Sequence, residues 1–102
     1  MSETIKITNG KLTASISTRG AELISLLSAG KELIWQADPA VWPKHCPNLF
    51  PICGGLRDDK FFFEGREYTL AKHGYAAVTE FSVEKAEDTS VTFLHTSNDE
   101  TL

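Results

Sequence analysis

Three histidines, His45, His73 and His95, carry the side chains best suited to proton transfer near neutral pH. His95 continues the alternation of Val91 and Phe93, which favours a place on one face of a strand. His45 lies in a segment without a recognisable catalytic pattern. Residue type alone therefore leaves His73 open between a surface, a structural and a chemical role.

Two cysteines raise the possibility of a metal site or a disulfide. Cys46 and Cys53 are spaced more widely than a CxxC pair, and His45 beside Cys46 does not complete a set of zinc ligands. A disulfide needs an oxidising compartment, yet the first ten residues have neither the basic nor the apolar region of a secretion signal. The sequence predicts incidental or buried thiols, no metal site and a cytoplasmic location.

Asp58 and Asp59 offer two neighbouring carboxylates, the groups that general acid and base catalysis often uses. Adjacent residues of a strand point to opposite faces, so these two side chains cannot converge on one bond. Acidic residues are also common in turns, and a strand is expected to begin near Lys60. We therefore predict a solvated turn at this pair.

The chain that must position these groups has 102 residues, of which 41% are hydrophobic and 24% charged. This composition predicts one globular domain over residues 1–102. Ten Lys and Arg against fourteen Asp and Glu give a net charge of −4. Nucleic acids and anionic membranes favour clustered basic residues, so neither is expected as a partner. The apolar runs are also too short for a membrane span.

Alternation of apolar and polar residues predicts strands along most of the chain. Ile5 and Ile7 alternate with polar neighbours, and Asn9-Gly10 is typical of a tight hairpin because both residues tolerate positive φ. The segment from Glu22 to Leu27 contains helix formers, but it is short and lacks an N-cap, which favours a strand. About eight short antiparallel strands are expected, and the fold class is all-β.

Two regions need separate interpretations. A turn over residues 28–31 is expected to lead into a strand at Leu33-Ile34-Trp35, with Trp35 in the core. The segment 36–58 contains all four prolines, which cannot donate to a sheet ladder, together with Trp42. Long irregular segments that carry aromatic residues on a rigid sheet often form binding sites. This segment is therefore predicted to contribute to one.

Several short segments, spread over nearly the whole chain, form a pattern through their order and spacing. They are Asn9-Gly10-Lys11-Leu12-Thr13-Ala14, Gly20-Ala21-Glu22-Leu23, Glu32-Leu33-Ile34-Trp35-Gln36, Trp42, Leu49-Phe50-Pro51-Ile52-Cys53-Gly54, Leu56-Arg57-Asp58-Asp59 and His73-Gly74-Tyr75-Ala76. Together they resemble the amino-terminal portion of the aldose 1-epimerase (galactose mutarotase) superfamily, in particular its LacX-like branch. Members of this superfamily are several-fold longer than this chain.

The resemblance implies a fold and a reaction. The fold would be an antiparallel β-sandwich, the amino-terminal part of a large galactose mutarotase-like supersandwich. The reaction would interconvert the α and β anomers of a hexose or hexose phosphate by acid- and base-assisted ring opening, without a metal or organic cofactor. His73 matches the first active-site histidine of the family, which binds or polarises the sugar near its ring oxygen. The family's principal acid and base would lie beyond Leu102.

The sequence departs from the family pattern at two places. Gly55 stands where many relatives have a substrate-binding arginine, and Ala77 stands where relatives often have another. Residues i and i+2 of an extended segment face the same side, so we hypothesise that Arg57 replaces the first of these arginines. Tyr75 and Trp42 could stack on a sugar face, although Trp42 could equally cover the core.

Two alternatives to an enzyme remain open at this point. The chain could be a non-catalytic carbohydrate-binding β-sandwich module, because Gly55 and Ala77 remove polar support from the site. It could also be a truncated fragment that self-associates, since the polar turn after Thr96 is expected to lead into a further element. Exposed strand edges would then make it a homo-oligomer.

Overall fold

The computed structural model describes residues 2–96 as an antiparallel β protein. Over that range it contains no α-helix, and the predicted all-β class is confirmed. The eight strands are β1 Thr4–Thr8, β2 Leu12–Ser17, β3 Glu22–Ser28, β4 Lys31–Glu32, β5 Lys60–Phe63, β6 Arg66–Thr69, β7 Ser82–Ala86 and β8 Val91–Leu94. They form a four-stranded sheet, β1-β2-β3-β4, and two separate hairpins, β5-β6 and β7-β8.

The four-stranded sheet is a meander whose first turn lies at the predicted Asn9-Gly10, although only Gly10 and not Asn9 has positive φ. The Asn9 side-chain oxygen accepts hydrogen bonds from the amides of Lys11 and Leu12 at 2.9 and 2.8 Å. Gly10 takes the left-handed conformation that this tight turn requires, with φ of 89°. The turn sets the β1-β2 register, in which Ile5 lies opposite Ile16. The apolar faces of the two strands are thereby aligned.

The last strand of this sheet is shorter and earlier than the sequence predicted. β3 is a strand, as expected, but β4 contains only Lys31 and Glu32, so the predicted strand at 33–35 is wrong. The Glu32 carboxylate explains the early end, because it accepts the amides of Leu26 and Ile34 at 2.9 and 3.1 Å. Because these two amides bond to the Glu32 side chain and not to backbone carbonyls, the regular ladder of the sheet ends there. Trp35 is 43% exposed and does not lie in the core.

The two hairpins differ in how they join the rest of the molecule. In β5-β6 the turn at Glu64-Gly65 has positive φ at both residues, as a two-residue hairpin turn favours. The β7-β8 hairpin is tied to the sheet by backbone hydrogen bonds from Gly20 to Thr79 and from Phe81 to Thr18. Backbone hydrogen bonds therefore join this second hairpin to the four-stranded sheet.

The described part of the chain is less compact than a typical domain and has few buried side chains. Its Cα radius of gyration is 16.2 Å, whereas a compact domain of this length has about 13 Å. Within residues 2–96, only Ile16 and Ala76 are buried apolar side chains, while Phe62 is 71% and Phe63 is 61% exposed. Much apolar surface therefore stays accessible. No helix in this part of the chain is long and apolar enough to span a membrane.

Candidate functional site

Two distant segments, 50–54 and 73–76, meet at the position of His73. The His73 amide donates to the Gly54 carbonyl at 2.7 Å, and the Gly54 amide donates to Nδ1 of His73 at 2.8 Å. The carbonyl of His73 accepts the Phe50 amide at 3.2 Å, while the Tyr75 amide donates to the Phe50 carbonyl at 2.9 Å. These bonds fix the imidazole against the proline-rich segment, although no strand carries it.

The backbone at this junction explains why glycine follows the histidine. His73 and Gly74 are both left-handed, with φ of 66° and 77°. A Cβ atom on Gly74 would overlap the carbonyl group of Phe50. Glycine therefore meets two needs at once, the positive φ and the close approach of the two segments. The close approach in turn puts His73 within reach of Gly54.

The hydrogen bond at Nδ1 selects one form of the imidazole. Because Nδ1 accepts the Gly54 amide, the neutral ring carries its proton on Nε2. His73 is half-buried, so the ring is supported without being sealed from solvent. Its Nε2–H group can donate a hydrogen bond to an oxygen atom of a ligand.

His73 lines a cleft of about 460 Å³ together with Trp42. The structure thus brings together two of the four residues that the sequence analysis singled out. Lys44, His45 and Lys72 also line this cleft. None of these three was predicted as a site residue from the sequence, since only the folded loop brings 44–45 close to 72–73. The arrangement combines an aromatic surface, a fixed imidazole donor and basic side chains.

The loop that carries Trp42 is anchored to the four-stranded sheet. The Glu22 carboxylate accepts the amides of His45 and Cys46 at 3.1 and 3.0 Å. Further along, the Asn48 side-chain amide donates to the Gly20 carbonyl at 2.8 Å. The Trp35 indole N–H donates to the Trp42 carbonyl at 2.8 Å. These contacts hold the loop that lines the cleft together with His73.

Tyr75 lies in a different cavity of about 700 Å³. Its ring packs edge-on against Phe50, with centroids 6.1 Å apart, and lies 6.1 Å from the His95 ring. The centroid of the Phe81 ring lies 5.6 Å from that of the His95 ring. The prediction that His95 lies on a strand face is wrong, because β8 ends at Leu94 and His95 follows it, within this aromatic cluster. Tyr75 and His73 are two positions apart in sequence but line separate cavities.

Arg57 lies apart from both cavities. It begins a 3₁₀ turn, Arg57–Asp59, just before β5, and is exposed. It lines neither the His73 cleft nor the Tyr75 cavity. The turn predicted at Asp58-Asp59 is confirmed, and both residues have positive φ.

The described residues do not assemble a metal-binding group. Residues 2–96 bring no three His, Cys, Asp or Glu side chains together in a way that could hold a metal ion. Cys46 and Cys53 are exposed free thiols.

Two carboxylates with shifted pKa values lie outside the cleft. Hydrogen bonds from the Thr18 and Ser2 hydroxyl groups lower the pKa of Glu80 below its ordinary value. The Ser25 hydroxyl and the Leu26 amide lower that of Glu32. Each carboxylate joins parts of the fold through these hydrogen bonds. Neither carboxylate lines the cleft.

The architecture is that of galactose mutarotase-like proteins. A galactose mutarotase related enzyme from Lactobacillus acidophilus matches with a TM-score of 0.94 and 40% sequence identity over 97% of this chain and 34% of that one. A galactose mutarotase-like protein from Lactobacillus casei ATCC 334 matches with a TM-score of 0.92 and 37% identity over the same shares. The predicted fold class is thereby confirmed.

Sequence comparison gives the family. The model of the aldose 1-epimerase family matches residues 3–102, and the chain belongs to this family. It is 39% identical over 105 aligned positions to the plasmid-encoded protein LacX of Lactococcus lactis subsp. lactis. The alignment covers 97% of this chain and 35% of that protein, so the chain spans about a third of the relative's length. The resemblance to the amino-terminal portion of the LacX-like branch is confirmed.

Proposed function

We propose that this chain forms part of the hexose site of an aldose 1-epimerase, which interconverts the α and β anomers of a sugar. The observation that carries the proposal is the cleft in which Trp42 and His73 meet. Family membership supports the class of reaction. The cleft supports the class of ligand, because an aromatic surface beside a fixed hydrogen-bond donor suits a sugar ring and its oxygen atoms.

The reaction needs two coordinated proton movements. An acid supplies a proton to the ring oxygen while a base removes the proton of the anomeric hydroxyl, and the bond between C1 and the ring oxygen breaks. The open-chain aldehyde then rotates about its C1–C2 bond, and ring closure on the other face of the carbonyl gives the other anomer. Neither step requires a metal or an organic cofactor.

In this proposal His73 binds and polarises the ring oxygen. Its Nδ1 already accepts the Gly54 amide, so Nε2–H is the group that faces the sugar. A hydrogen bond to the ring oxygen favours the charge that develops there as the ring opens. Trp42, which is 45% exposed, offers its indole face to the C–H groups of the pyranose.

The proposal assigns the second proton-transfer group to a part of the protein outside residues 2–96. Of the residues described, those that line the His73 cleft include no carboxylate. General acid–base catalysis typically contributes 10²–10⁴-fold, so a cleft with one partner loses most of that acceleration. We therefore expect this chain alone to bind a hexose and to leave its mutarotation near the rate in buffer.

A calorimetric titration with D-glucose and D-galactose tests the binding role. His73→Asn keeps a side-chain acceptor for Gly54 and tolerates positive φ, but it lacks the Nε2–H donor. We expect it to weaken hexose binding about tenfold, the value of one hydrogen bond. Trp42→Ala is expected to weaken binding to a similar extent, whereas Val41→Ala, which changes an exposed neighbour outside the cleft, is the matched control.

The outcomes of this titration are distinct. Loss of affinity in the His73 and Trp42 variants, with the Val41 variant unchanged, supports the site. Equal affinities in all four proteins would reject it, as would the absence of saturable binding to a folded chain. Polarimetry on freshly dissolved α-D-glucose adds a second test, because clear acceleration by this chain would contradict the assignment of the second proton group.

Arg57 and Tyr75 enter the proposal as further substrate-binding residues. Arg57 is exposed on its turn, and Tyr75 lines the neighbouring cavity, so each would reach the sugar from outside the His73 cleft. Arg57→Ala and Tyr75→Phe are measured in the same titration. Weaker binding supports the assigned role, and an unchanged affinity removes that residue from the site.

A second candidate is a non-catalytic carbohydrate-binding module. Gly55 and Ala77, in place of two arginines common among relatives, favour it because they remove charged support near His73. Polarimetry on the protein translated from the complete reading frame separates the candidates. Acceleration of mutarotation supports the epimerase, whereas binding with no acceleration supports the module.

A further inference from the structure

A second imidazole, that of His45, lines the cleft beside His73. The side chain of His45 is 26% exposed, so it is mostly covered while part of it stays accessible to a ligand. The reaction described above gives this group no role. An imidazole nitrogen donates or accepts a hydrogen bond according to where the ring carries its proton, so the surroundings of His45 determine what it offers.

Glu22 holds His45 from outside the cleft. Its carboxylate oxygen Oε2 accepts the amides of His45 and Cys46 at 3.1 and 3.0 Å, and the same oxygen lies 3.7 Å from Nδ1 of the His45 ring. Glu22 is the first residue of β3, its side chain is 16% exposed, and it does not line the cleft. A strand therefore carries a carboxylate that is close to both the backbone and the Nδ1 edge of His45.

This carboxylate favours one tautomer of the neutral His45 ring. A negative oxygen 3.7 Å from Nδ1 repels a lone pair on that nitrogen and attracts an N–H group there. Neutral His45 therefore carries its proton on Nδ1, and its Nε2 is an acceptor. His73 has the opposite arrangement, because its Nδ1 accepts the Gly54 amide and its Nε2–H is a donor. One imidazole acceptor and one imidazole donor thus belong to residues that line the same cleft.

We propose that Nε2 of His45 accepts a hydrogen bond from a hydroxyl group of the sugar, and that Glu22 is the positioning residue that orients this imidazole. This rests on the proposed function, in which the sugar lies beside His73 and Trp42. A pyranose offers an acceptor at its ring oxygen and donors at its hydroxyl groups, so a donor and an acceptor together suit it better than two donors do. His45 then selects ligands that carry a hydroxyl group at the matching position, because an analogue without it leaves the acceptor unpaired.

Calorimetric titrations of the 102-residue chain with D-glucose test the contact. His45→Phe keeps a planar ring and removes both nitrogens, so we expect it to weaken D-glucose binding about tenfold, the value of one hydrogen bond. His45→Gln keeps a side-chain acceptor and should retain most of the affinity. His95→Phe, which replaces a half-buried imidazole in the other cavity, is the matched control and should bind as before. Circular dichroism of each variant verifies that the strands are intact.

Deoxy analogues of D-glucose, one for each hydroxyl group, identify the hydroxyl group that His45 contacts. One analogue should bind the unsubstituted chain about tenfold more weakly than D-glucose does. The same analogue and D-glucose should bind His45→Phe equally, because each of these pairs lacks the contact already. The effect of removing any other hydroxyl group should be the same in the unsubstituted chain and in the variant.

The tautomer of His45 tests the role of Glu22. Long-range ¹H–¹⁵N correlation spectra at about pH 8, where imidazole is ordinarily neutral, should show His45 protonated on Nδ1, and His45→Gln identifies the signal. Glu22→Gln keeps an oxygen atom for the two loop amides but removes the charge. The loop should therefore stay anchored while the His45 proton moves toward Nε2 and hexose affinity falls several-fold. Glu84→Gln, at an exposed carboxylate on β7, should change neither.

Failure of this inference is distinguishable from failure of the proposed function. If His73→Asn and Trp42→Ala weaken binding but His45→Phe does not, the sugar lies in the cleft without His45 and the inference is overturned. It is also overturned if neutral His45 is protonated on Nε2 in the unsubstituted chain, or if no deoxy analogue loses its effect in His45→Phe. An unaltered tautomer in Glu22→Gln would remove Glu22 as the positioning residue. If no sugar binds a folded chain, both proposals fail.

Discussion

Nδ1 of His73 accepts the backbone amide of Gly54 at 2.8 Å, and the His73 amide returns a hydrogen bond to the Gly54 carbonyl at 2.7 Å. This reciprocal pair joins the proline-rich segment to the segment that contains the imidazole. It also determines which ring nitrogen is free for a ligand. The orientation of the candidate site is therefore set by a contact between residues 19 positions apart in sequence.

The pair predicts the tautomer of His73. With Nδ1 occupied as an acceptor, the neutral imidazole should be protonated on Nε2. Long-range ¹H–¹⁵N correlation spectra of the histidine-labelled chain distinguish the two tautomers directly, and His73→Asn identifies the His73 signal. A ring protonated on Nδ1 would contradict the hydrogen bond from Gly54.

Gly74 is predicted to be far less tolerant of substitution than Gly65. Both have φ of 77°, but a Cβ on Gly65 meets open space, whereas one on Gly74 overlaps the Phe50 carbonyl group. Gly65→Ala should cost about 1–2 kcal/mol for the left-handed conformation alone. Gly74→Ala should cost more by at least about 1 kcal/mol, because the two segments must also separate. Urea denaturation measures both, and equal losses would show that the segments do not approach closely.

The acid stability of the chain should depend on Glu80. Hydrogen bonds from Thr18 and Ser2 hold its pKa below the ordinary value of 4.5 in the folded state. A carboxyl whose pKa is lowered by folding contributes stability that is complete above its ordinary pKa and is lost as the pH falls below it. Glu80→Gln should therefore reduce the free energy of unfolding at neutral pH and flatten its decline below pH 4.5.

Denaturation at a series of pH values from about 7 to about 3 measures this effect. Glu84→Gln is the control, because Glu84 is an exposed carboxylate on β7. It should leave the pH profile close to that of the unsubstituted chain. If Glu80→Gln leaves the pH profile of stability unchanged, the hydrogen bonds that Thr18 and Ser2 donate to Glu80 do not contribute to stability.

The exposed aromatic strand β5 predicts self-association. Phe62 and Phe63 are 71% and 61% exposed on a two-stranded hairpin with free edges, and such surfaces tend to pair with another chain. Light scattering should give a mass above 11.3 kDa that rises with concentration. Phe62→Ser should lower the mass at each concentration. A monomer throughout the concentration range would contradict this expectation.

The fold could be predicted wherever local patterns determined it. Asn9-Gly10 specified the first hairpin, and alternation identified β3 as a strand despite its helix formers. The strand expected at 33–35 failed because the Glu32 side chain accepts amides of Leu26 and Ile34. A side chain that replaces a backbone acceptor leaves no periodic signal in the sequence.

The site could be predicted only in part, because its walls are far apart in sequence. His73 was found through the motif that it shares with a family, and Trp42 through its place in the proline-rich segment. Lys44 and Lys72 gave no signal, since their shared cleft depends on the anchoring of the loop by Glu22. The assignments of Arg57 and Tyr75 stay predictions.

A hexose titration followed by two-dimensional ¹H–¹⁵N correlation spectra tests most directly whether the His73 cleft holds a sugar. The account predicts saturable shifts at the amides of Gly54 and His73 and at the indole N–H of Trp42. Shifts confined to the cavity of Phe81 and His95, or no saturable shift in a folded chain, would contradict it.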